Sequence, residues 1–288
     1  MLVLEKSRIY QGTLILVNRA YPVRCQQPKQ ELCSPFPEQA QIMMEQESAR
    51  MLKKLLREVL TNDLVLSGKQ GVLLQHGNAI VGVSGYRSRE EQVEIFENSL
   101  LENGRDFTEK YVAFPDHSEH QTGLAIDLAE NQPQIDFICP EFPYQGICQE
   151  FREKMAEFGF VERYPKAKQK ITGIGAEPWH FRYVGAPHAA LMAELGMVLE
   201  EYIEWLKQFD LKKHPCILHR RREEVAIGYV KAKGDYTRIE GLEALAGRIR
   251  KAWQMRNEAK NRTERFRIKI SGNNVDGFIC TCRMGTQA

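Results

Sequence analysis

Ser118-Glu119-His120-Gln121-Thr122-Gly123-Leu124-Ala125-Ile126-Asp127 sets a histidine and an aspartate seven residues apart, with a glycine between them. Glycine tolerates the sharp backbone turn that lets both side chains point into one cleft. Gly123–Leu128 reads as a strand leaving that turn, so the aspartate stands on a sheet. A second stretch, Glu177-Pro178-Trp179-His180, opens another strand, Trp179–Val184. Two strands of one central sheet would then each bring a metal-binding side chain to the same place.

The chemistry follows from the donor set. His120, Asp127 and His180 supply two imidazoles and a carboxylate, the three protein ligands of a hydrolytic zinc site, with a fourth position left for water. Glu177 as a fourth ligand would displace that water, so it suits the role of general base. Pro178 fixes the local backbone, and Trp179 can pack beneath the site and exclude solvent. Arg87, in Val83-Ser84-Gly85-Tyr86-Arg87-Ser88, stands where a strand gives way to a helix. Its permanent charge can stabilise an oxyanion. Each of these residues alone has a bland reading, as a packed or solvated histidine or a surface ion pair, and so does His117. The coincidence of His, Asp and His with a nearby base argues against that. His76, His188, His214 and His219 carry no assignment.

Outward from these stretches, Thr13–Val17 reads as an opening strand, Tyr21–Pro37 as a loop and Glu38–Leu60 as an amphipathic helix. Ala79–Gly85 reads as a strand. Ser88 caps a helix whose first turn holds Glu90 and Glu91, and Asn103-Gly104 ends it. Cys148–Phe158 and His188–Phe209 are helices, the latter interrupted at most near Gly196. The expected class is α+β, with a central antiparallel sheet flanked by helices. A boundary near Leu211–Pro215 divides residues 1–211, the expected catalytic domain, from residues 212–288, a small appendage. There Glu224–Ala232 and Tyr236–Ile239 flank a Lys233-Gly234-Asp235 turn, the helix Leu242–Lys260 follows, and Phe266–Ile270 pairs with Phe278–Cys282. That is a ββαββ unit.

Composition is that of a soluble globular protein: 288 residues, 43% hydrophobic, 27% charged, net charge +2. Charge is uneven, with 17 Lys/Arg against 7 Asp/Glu between Lys212 and Ile270. A basic appendage suits an anionic polymer such as teichoic acid, or simply a solvated surface. Nucleic acid is an anionic polymer of the same kind, but it is not the expected partner. Seven cysteines without a CxxC pair form no disulfide framework, which favours a reducing compartment. Cys280 and Cys282 read as small buried residues. No leader or membrane-spanning run stands in the sequence, so the expected location is the cytoplasm, or a cell-wall-facing one if an export segment precedes it.

Ser84-Gly85-Tyr86-Arg87-Ser88, Ser118-x-His120-x-x-Gly123-x-Ala125-x-Asp127 and Glu177-x-Trp179-His180 resemble the zinc D-Ala-D-Ala carboxypeptidases of the VanY and VanXY type, known from bacterial vancomycin resistance. The resemblance runs from Thr13 to Phe209 and takes in Arg163-Tyr164-Pro165 and Phe181-Arg182-Tyr183-Val184-Gly185. It implies a hedgehog/D-Ala-D-Ala peptidase-like fold and one Zn2+ per chain on His120, Asp127 and His180, with Glu177 as base and Arg87 steadying the transition state. Substrate contacts would come from Ser118, Gln92, Tyr86 and Trp179. The implied activity removes the terminal D-Ala of peptidoglycan stem peptides, or splits D-Ala-D-Ala. The alternatives are an L,D-carboxypeptidase and a non-catalytic peptidoglycan-binding module. Residues 212–288 depart from the compact dual-function members, which end near the equivalent of Phe209.

Overall fold

The computed structural model describes residues 2–25, 31–66, 79–220, 223–256 and 264–286. In chain order the regular elements are β1 (Leu2–Glu5), β2 (Leu32–Cys33), β3 (Met44–Glu45), α1 (Gln46–Leu66), β4 (Ile80–Ser84), α2 (Arg89–Asn103), α3 (Arg105–Tyr111) and β5 (Ala125–Glu130). There follow α4 (Gly146–Met155), β6 (Phe160–Tyr164), α5 (Gln169–Thr172), β7 (Glu177–Tyr183), α6 (Ala186–Leu195) and α7 (Leu199–Leu206). The last are β8 (Cys216–His219), β9 (Glu223–Lys231), β10 (Tyr236–Ile239), α8 (Leu242–Arg256), β11 (Glu264–Gly272) and β12 (Gly277–Thr286). Two compact units result: Val17–Leu199, and Met1–Leu16 together with Glu200–Ala288. No helix among the described residues is long and apolar enough to cross a membrane.

The Val17–Leu199 unit is built on a four-stranded antiparallel sheet of order β4-β5-β7-β6, the central sheet expected from sequence. α1 packs on α4. Leu52, Leu55 and Val59 recur at helical spacing on α1 and are fully buried. Phe142, Phe151 and Phe181 form a mutual edge-to-face cluster with centroids 4.9 to 5.5 Å apart. Burying each such ring contributes roughly 1.5–3 kcal/mol. Ser88 caps α2 as expected: its hydroxyl accepts from the Glu91 amide while the Glu91 carboxylate accepts from the Ser88 amide. Gly123 adopts φ 69°, the left-handed turn its place in the sequence required.

Several expectations fail here. α1 begins at Gln46 rather than Glu38, because the Glu45 carboxylate accepts the amides of Glu47 and Ser48 and so caps the first turn. The residues before it contribute β3, which pairs with β2 inside the expected loop. Leu14–Val17 is buried, but Thr13–Val17 forms no ladder strand. Its backbone is satisfied by the Ser271 hydroxyl, the Asn273 carbonyl and the Asn274 amide.

The second unit carries a four-stranded antiparallel sheet of order β11-β12-β9-β8, with α8 on β9 and β12. The β11–β12 hairpin is the one expected. The first expected hairpin does not form. β9 holds the fully buried run Val225-Ala226-Ile227 and takes an interior position between β12 and β8. β10 buries only alternate residues and pairs with β1 instead. That pairing draws the first residues into this unit, whereas the sequence reading placed residues 1–211 together. The end of the expected helix at Lys260 lies outside the described residues. Cys280 and Cys282 share one face of β12 in the apolar core, where burial pushes both thiols up, to about 12 and about 11. Some basic side chains of this unit are paired locally, as Arg256–Glu224, Arg283–Glu223 and Lys212–Glu240, and the net basic excess remains.

Candidate active site

The site is assembled by backbone register. Asp127 on β5 is the ladder partner of His180 on β7 and of Ser84 on β4. These three residues, far apart in sequence, therefore form one row across the sheet. Two irregularities aim the neighbouring side chains. β4 carries one extra residue, Val83, between the pairs Gly82–Leu128 and Ser84–Asp127. On β7, Pro178, Trp179 and His180 lie between the pairs Tyr164–Glu177 and Glu162–Phe181, opposite Arg163 alone. Bulges of this kind redirect side chains at sheet ends. Here the β7 irregularity accompanies an approach of the Glu177 carboxylate to 3.6 Å from His180 Nδ1.

Donor atoms of His120, Asp127 and His180 lie within 4.8 Å of one another, all buried. Asp127 Oδ2 is 3.1 Å from His120 Nε2, and Asp127 Oδ1 is 3.0 Å from His180 Nδ1. His120 Nδ1 lies 2.7 Å from the Gly85 carbonyl, an acceptor for an Nδ1 proton, while Nε2 faces the Asp127 carboxylate in the cluster. Buried Asp127 Oδ1 makes no directed hydrogen bond despite its short distance to His180. That donor set and spacing fit a cation with ligand bonds of about 2.0–2.2 Å.

The electrostatics agree. Burial raises the Asp127 carboxyl, but His120 and His180 outweigh it and hold the group well below the usual carboxylate range. Burial lowers His180, yet the carboxylates of Asp127, Glu119 and Glu177 bring it to about 9. His180 therefore holds a proton that a divalent cation would displace. Burial, then Arg87, lowers His120. Burial pushes Glu177 to about 8 against the pull of His180, leaving a carboxyl able to hold or release a proton near neutral pH.

The cluster opens into a cleft of about 380 Å³ lined by Arg87, Ser118, Tyr164, Glu177 and Trp179 among others. Arg87 donates from Nη2 to Asp127 Oδ2 at 2.9 Å and from Nε to the Ser84 hydroxyl at 2.7 Å. Of the four residues expected at the substrate, Ser118 and Trp179 line the cleft, whereas Tyr86 and Gln92 are not among its lining residues. Gln92 is buried and its side-chain amide donates to the Ala113 carbonyl, itself in the cleft wall. His117 faces the Asn18 carbonyl instead.

Sequence reading left three residues of this region without a role. Glu119 is fully buried, 2.8 Å from Arg163 Nε and 2.9 Å from Arg182 Nη1, and both guanidinium groups are as deeply buried. The signal was present: Arg163 and Arg182 sit in apolar strand stretches, and a buried arginine demands a buried anion. Phe137 and Ile138 also line the cleft, from a segment with no regular pattern.

A family model described as "VanY: D-alanyl-D-alanine carboxypeptidase" matches residues 41–186. The chain is 39% identical over 200 residues to the bifunctional D-Ala-D-Ala dipeptidase and D-Ala-D-Ala carboxypeptidase VanXYC of Enterococcus gallinarum, covering 68% of this chain and 96% of that protein. It is 42% identical to the D,D-dipeptidase VanXYg solved with a D-Ala-D-Ala phosphinate analogue, with a TM-score of 0.80 over 98% of both chains. That likeness takes in nearly all of residues 212–288, so the appendage does not set this chain apart from all of its relatives. A likeness to the LD-carboxypeptidase LdcB (30% identity, TM-score 0.52) covers 66% of this chain and 84% of that one.

Proposed function

The chain belongs to the VanY family of D-alanyl-D-alanine carboxypeptidases, and on that premise we propose that it is a zinc-dependent D,D-peptidase. Its substrates are stem peptides ending in D-Ala-D-Ala and the free dipeptide. His120, Asp127 and His180 hold the metal. The observation that carries this reading is the convergence of those three donors beside the Glu177 carboxylate at the floor of a cleft. The chemistry is assigned to the Val17–Leu199 unit, within the 1–211 segment read from sequence as catalytic.

Zinc, when bound, polarises the scissile carbonyl and makes water more acidic. The remaining work belongs to side chains. Glu177 takes a proton from the attacking water and delivers it to the leaving amine of the terminal D-Ala. A cation beside it favours its ionised form, the form a base requires. Arg87, fixed through Ser84 and Asp127, presents positive charge to the developing oxyanion. Ser118 receives the terminal carboxylate, and Trp179 supplies an apolar wall. A non-catalytic peptidoglycan-binding module would need neither Glu177 nor Arg87 in these positions.

The likeness to an LD-carboxypeptidase supports a second reading, removal of D-Ala from trimmed stems. One experiment separates them. The metal-reconstituted protein is incubated with D-Ala-D-Ala, with a pentapeptide ending in D-Ala-D-Ala and with a tetrapeptide ending in L-Lys-D-Ala, each with and without chelator. Chelator-sensitive D-Ala release from the first two supports the D,D-activity. Release from the tetrapeptide alone supports the L,D-activity, and no release from any substrate overturns both.

A further inference from the structure

His180 is approached by two carboxylates on opposite sides of its ring. Nδ1 faces Asp127 Oδ1 at 3.0 Å, and Nε2 faces Glu119 Oε2 at 3.5 Å. Among the described residues neither Nε2 nor Oε2 makes a hydrogen bond, to each other or to any other group, so the 3.5 Å approach pairs two buried polar atoms that are otherwise unused. Glu119 shares its short 3-10 turn with His120, so the same turn that carries one imidazole of the cluster also carries the anion behind the other.

The anion is held firmly. Its other oxygen, Oε1, accepts a hydrogen bond from Arg163 Nε at 2.8 Å and stands 2.9 Å from Arg182 Nη1 as an ion pair. Arg182 follows His180 by two residues on β7, so the strand that presents the imidazole also presents a clamp for its partner. Arg163 stands alone opposite the irregular Pro178–His180 stretch, at the point where β6 and β7 lose regular register. All three side chains are essentially inaccessible to water. A buried carboxylate between two buried guanidinium groups is expensive to assemble and gains stability only when its geometry is tight. Nothing in the hydrolytic proposal above uses it.

We propose that Glu119, clamped by Arg163 and Arg182, is the positioning residue of His180: it takes the Nε2 proton and so commits Nδ1 to the metal. An imidazole whose far nitrogen donates to a carboxylate is fixed in tautomer and ring orientation and is the more basic ligand. The two histidines then coordinate through opposite nitrogens. His120 uses Nε2 because the Gly85 carbonyl holds its Nδ1, and His180 uses Nδ1 because Glu119 holds its Nε2. The inference rests on the reading of His180 as a metal ligand.

The test has two readouts besides turnover. Zinc affinity is measured by competition with a chromophoric chelator for the parent chain and for Glu119→Gln, which keeps the side-chain size and removes the charge. The expected loss is roughly 10–100-fold. Long-range 1H–15N NMR of the zinc-loaded parent then reads the His180 ring, with Nε2 expected to carry the proton and Nδ1 to be metal-bound. Coordination through Nε2 overturns the proposal. So does a folded Glu119→Gln variant whose zinc affinity stays within about threefold of the parent. If removing the charge leaves the variant unfolded, the parent spectrum decides alone. A parent that binds no zinc overturns both this inference and the metal reading, whereas zinc bound through Nε2 of His180 overturns this inference only.

Discussion

Asp127 and His180 are ladder partners on adjacent antiparallel strands, and their facing donor atoms are 3.0 Å apart. Two of the three proposed ligands are therefore set by the sheet itself rather than by a loop, which is the arrangement that holds a site closest to its working geometry. Asp127→Asn keeps the shape of the side chain and removes the anionic donor. The fall in zinc affinity is expected to exceed the roughly 10–100-fold typical of losing an outer hydrogen-bonding partner. Chelator competition measures it, and an Asn variant that binds zinc like the parent would remove Asp127 from the ligand set.

Glu177 is near the cluster without completing it, 3.6 Å from His180 Nδ1. Glu177→Gln is expected to retain stoichiometric metal and to lose turnover by about 10²–10⁴-fold, the usual weight of a general base. Elemental analysis beside steady-state kinetics checks both halves. Loss of metal in the variant would make Glu177 a ligand and leave the proton transfer without an owner.

Arg87 uses its fork on two partners at once, Ser84 through Nε and Asp127 through Nη2. A lysine cannot reproduce that geometry with a single ammonium. Both Arg87→Ala and Arg87→Lys are expected to lower kcat more than they raise KM, the signature of an interaction made in the transition state. A rise in KM alone would assign Arg87 to ground-state binding.

His120, Asp127, His180 and Glu177 could be singled out in the sequence by their spacing around glycine and proline, and the structure brings the four side chains together. Three strands of the central sheet, β4, β5 and β7, were legible from short apolar runs, whereas β6 was not read. What stayed hidden depends on long-range pairing. β9 and β10 look like a hairpin because a Lys-Gly-Asp turn joins them, yet β10 finds its partner in β1, more than two hundred residues away. The Glu119 clamp was hidden for a related reason. Arg163 and Arg182 in apolar stretches signal a buried anion, but only the fold shows that Glu119 is the carboxylate both of them reach. Gln92 and Tyr86 were expected at the substrate through resemblance alone, and neither lines the cleft.

Gly85 joins the fold to the site. A Cβ built there would collide with the Met43 carbonyl oxygen, a backbone atom. The Gly85 carbonyl also receives His120 Nδ1. Gly85→Ala is expected to destabilise the protein by about 1–3 kcal/mol, as overpacking does, and to weaken zinc binding through the displaced carbonyl. Thermal unfolding with and without zinc checks this, and an unchanged zinc-induced rise in Tm would show that His120 does not depend on that contact.

The β11–β12 turn in the other unit is organised by one side chain. Asn273 Oδ1 accepts the amides of Val275, Asp276 and Gly277, and its Nδ2 donates to Asp276 Oδ1. Asn273→Ala leaves those amides unpaired and is expected to cost about 1–3 kcal/mol. Asp276 gives the same turn a pH dependence. Burial raises its carboxyl, but Asn273, Lys207 and Tyr229 outweigh that and lower it. A depressed folded pKa means stability that is complete above the ordinary carboxylate range, near about pH 4, and lost as pH falls through the folded value. The Tm difference between the parent and Asp276→Asn is therefore expected to be largest near neutral pH and to shrink on acidification below about pH 4. A difference that stays constant or grows on acidification would show that the Asp276 charge does not stabilise the turn.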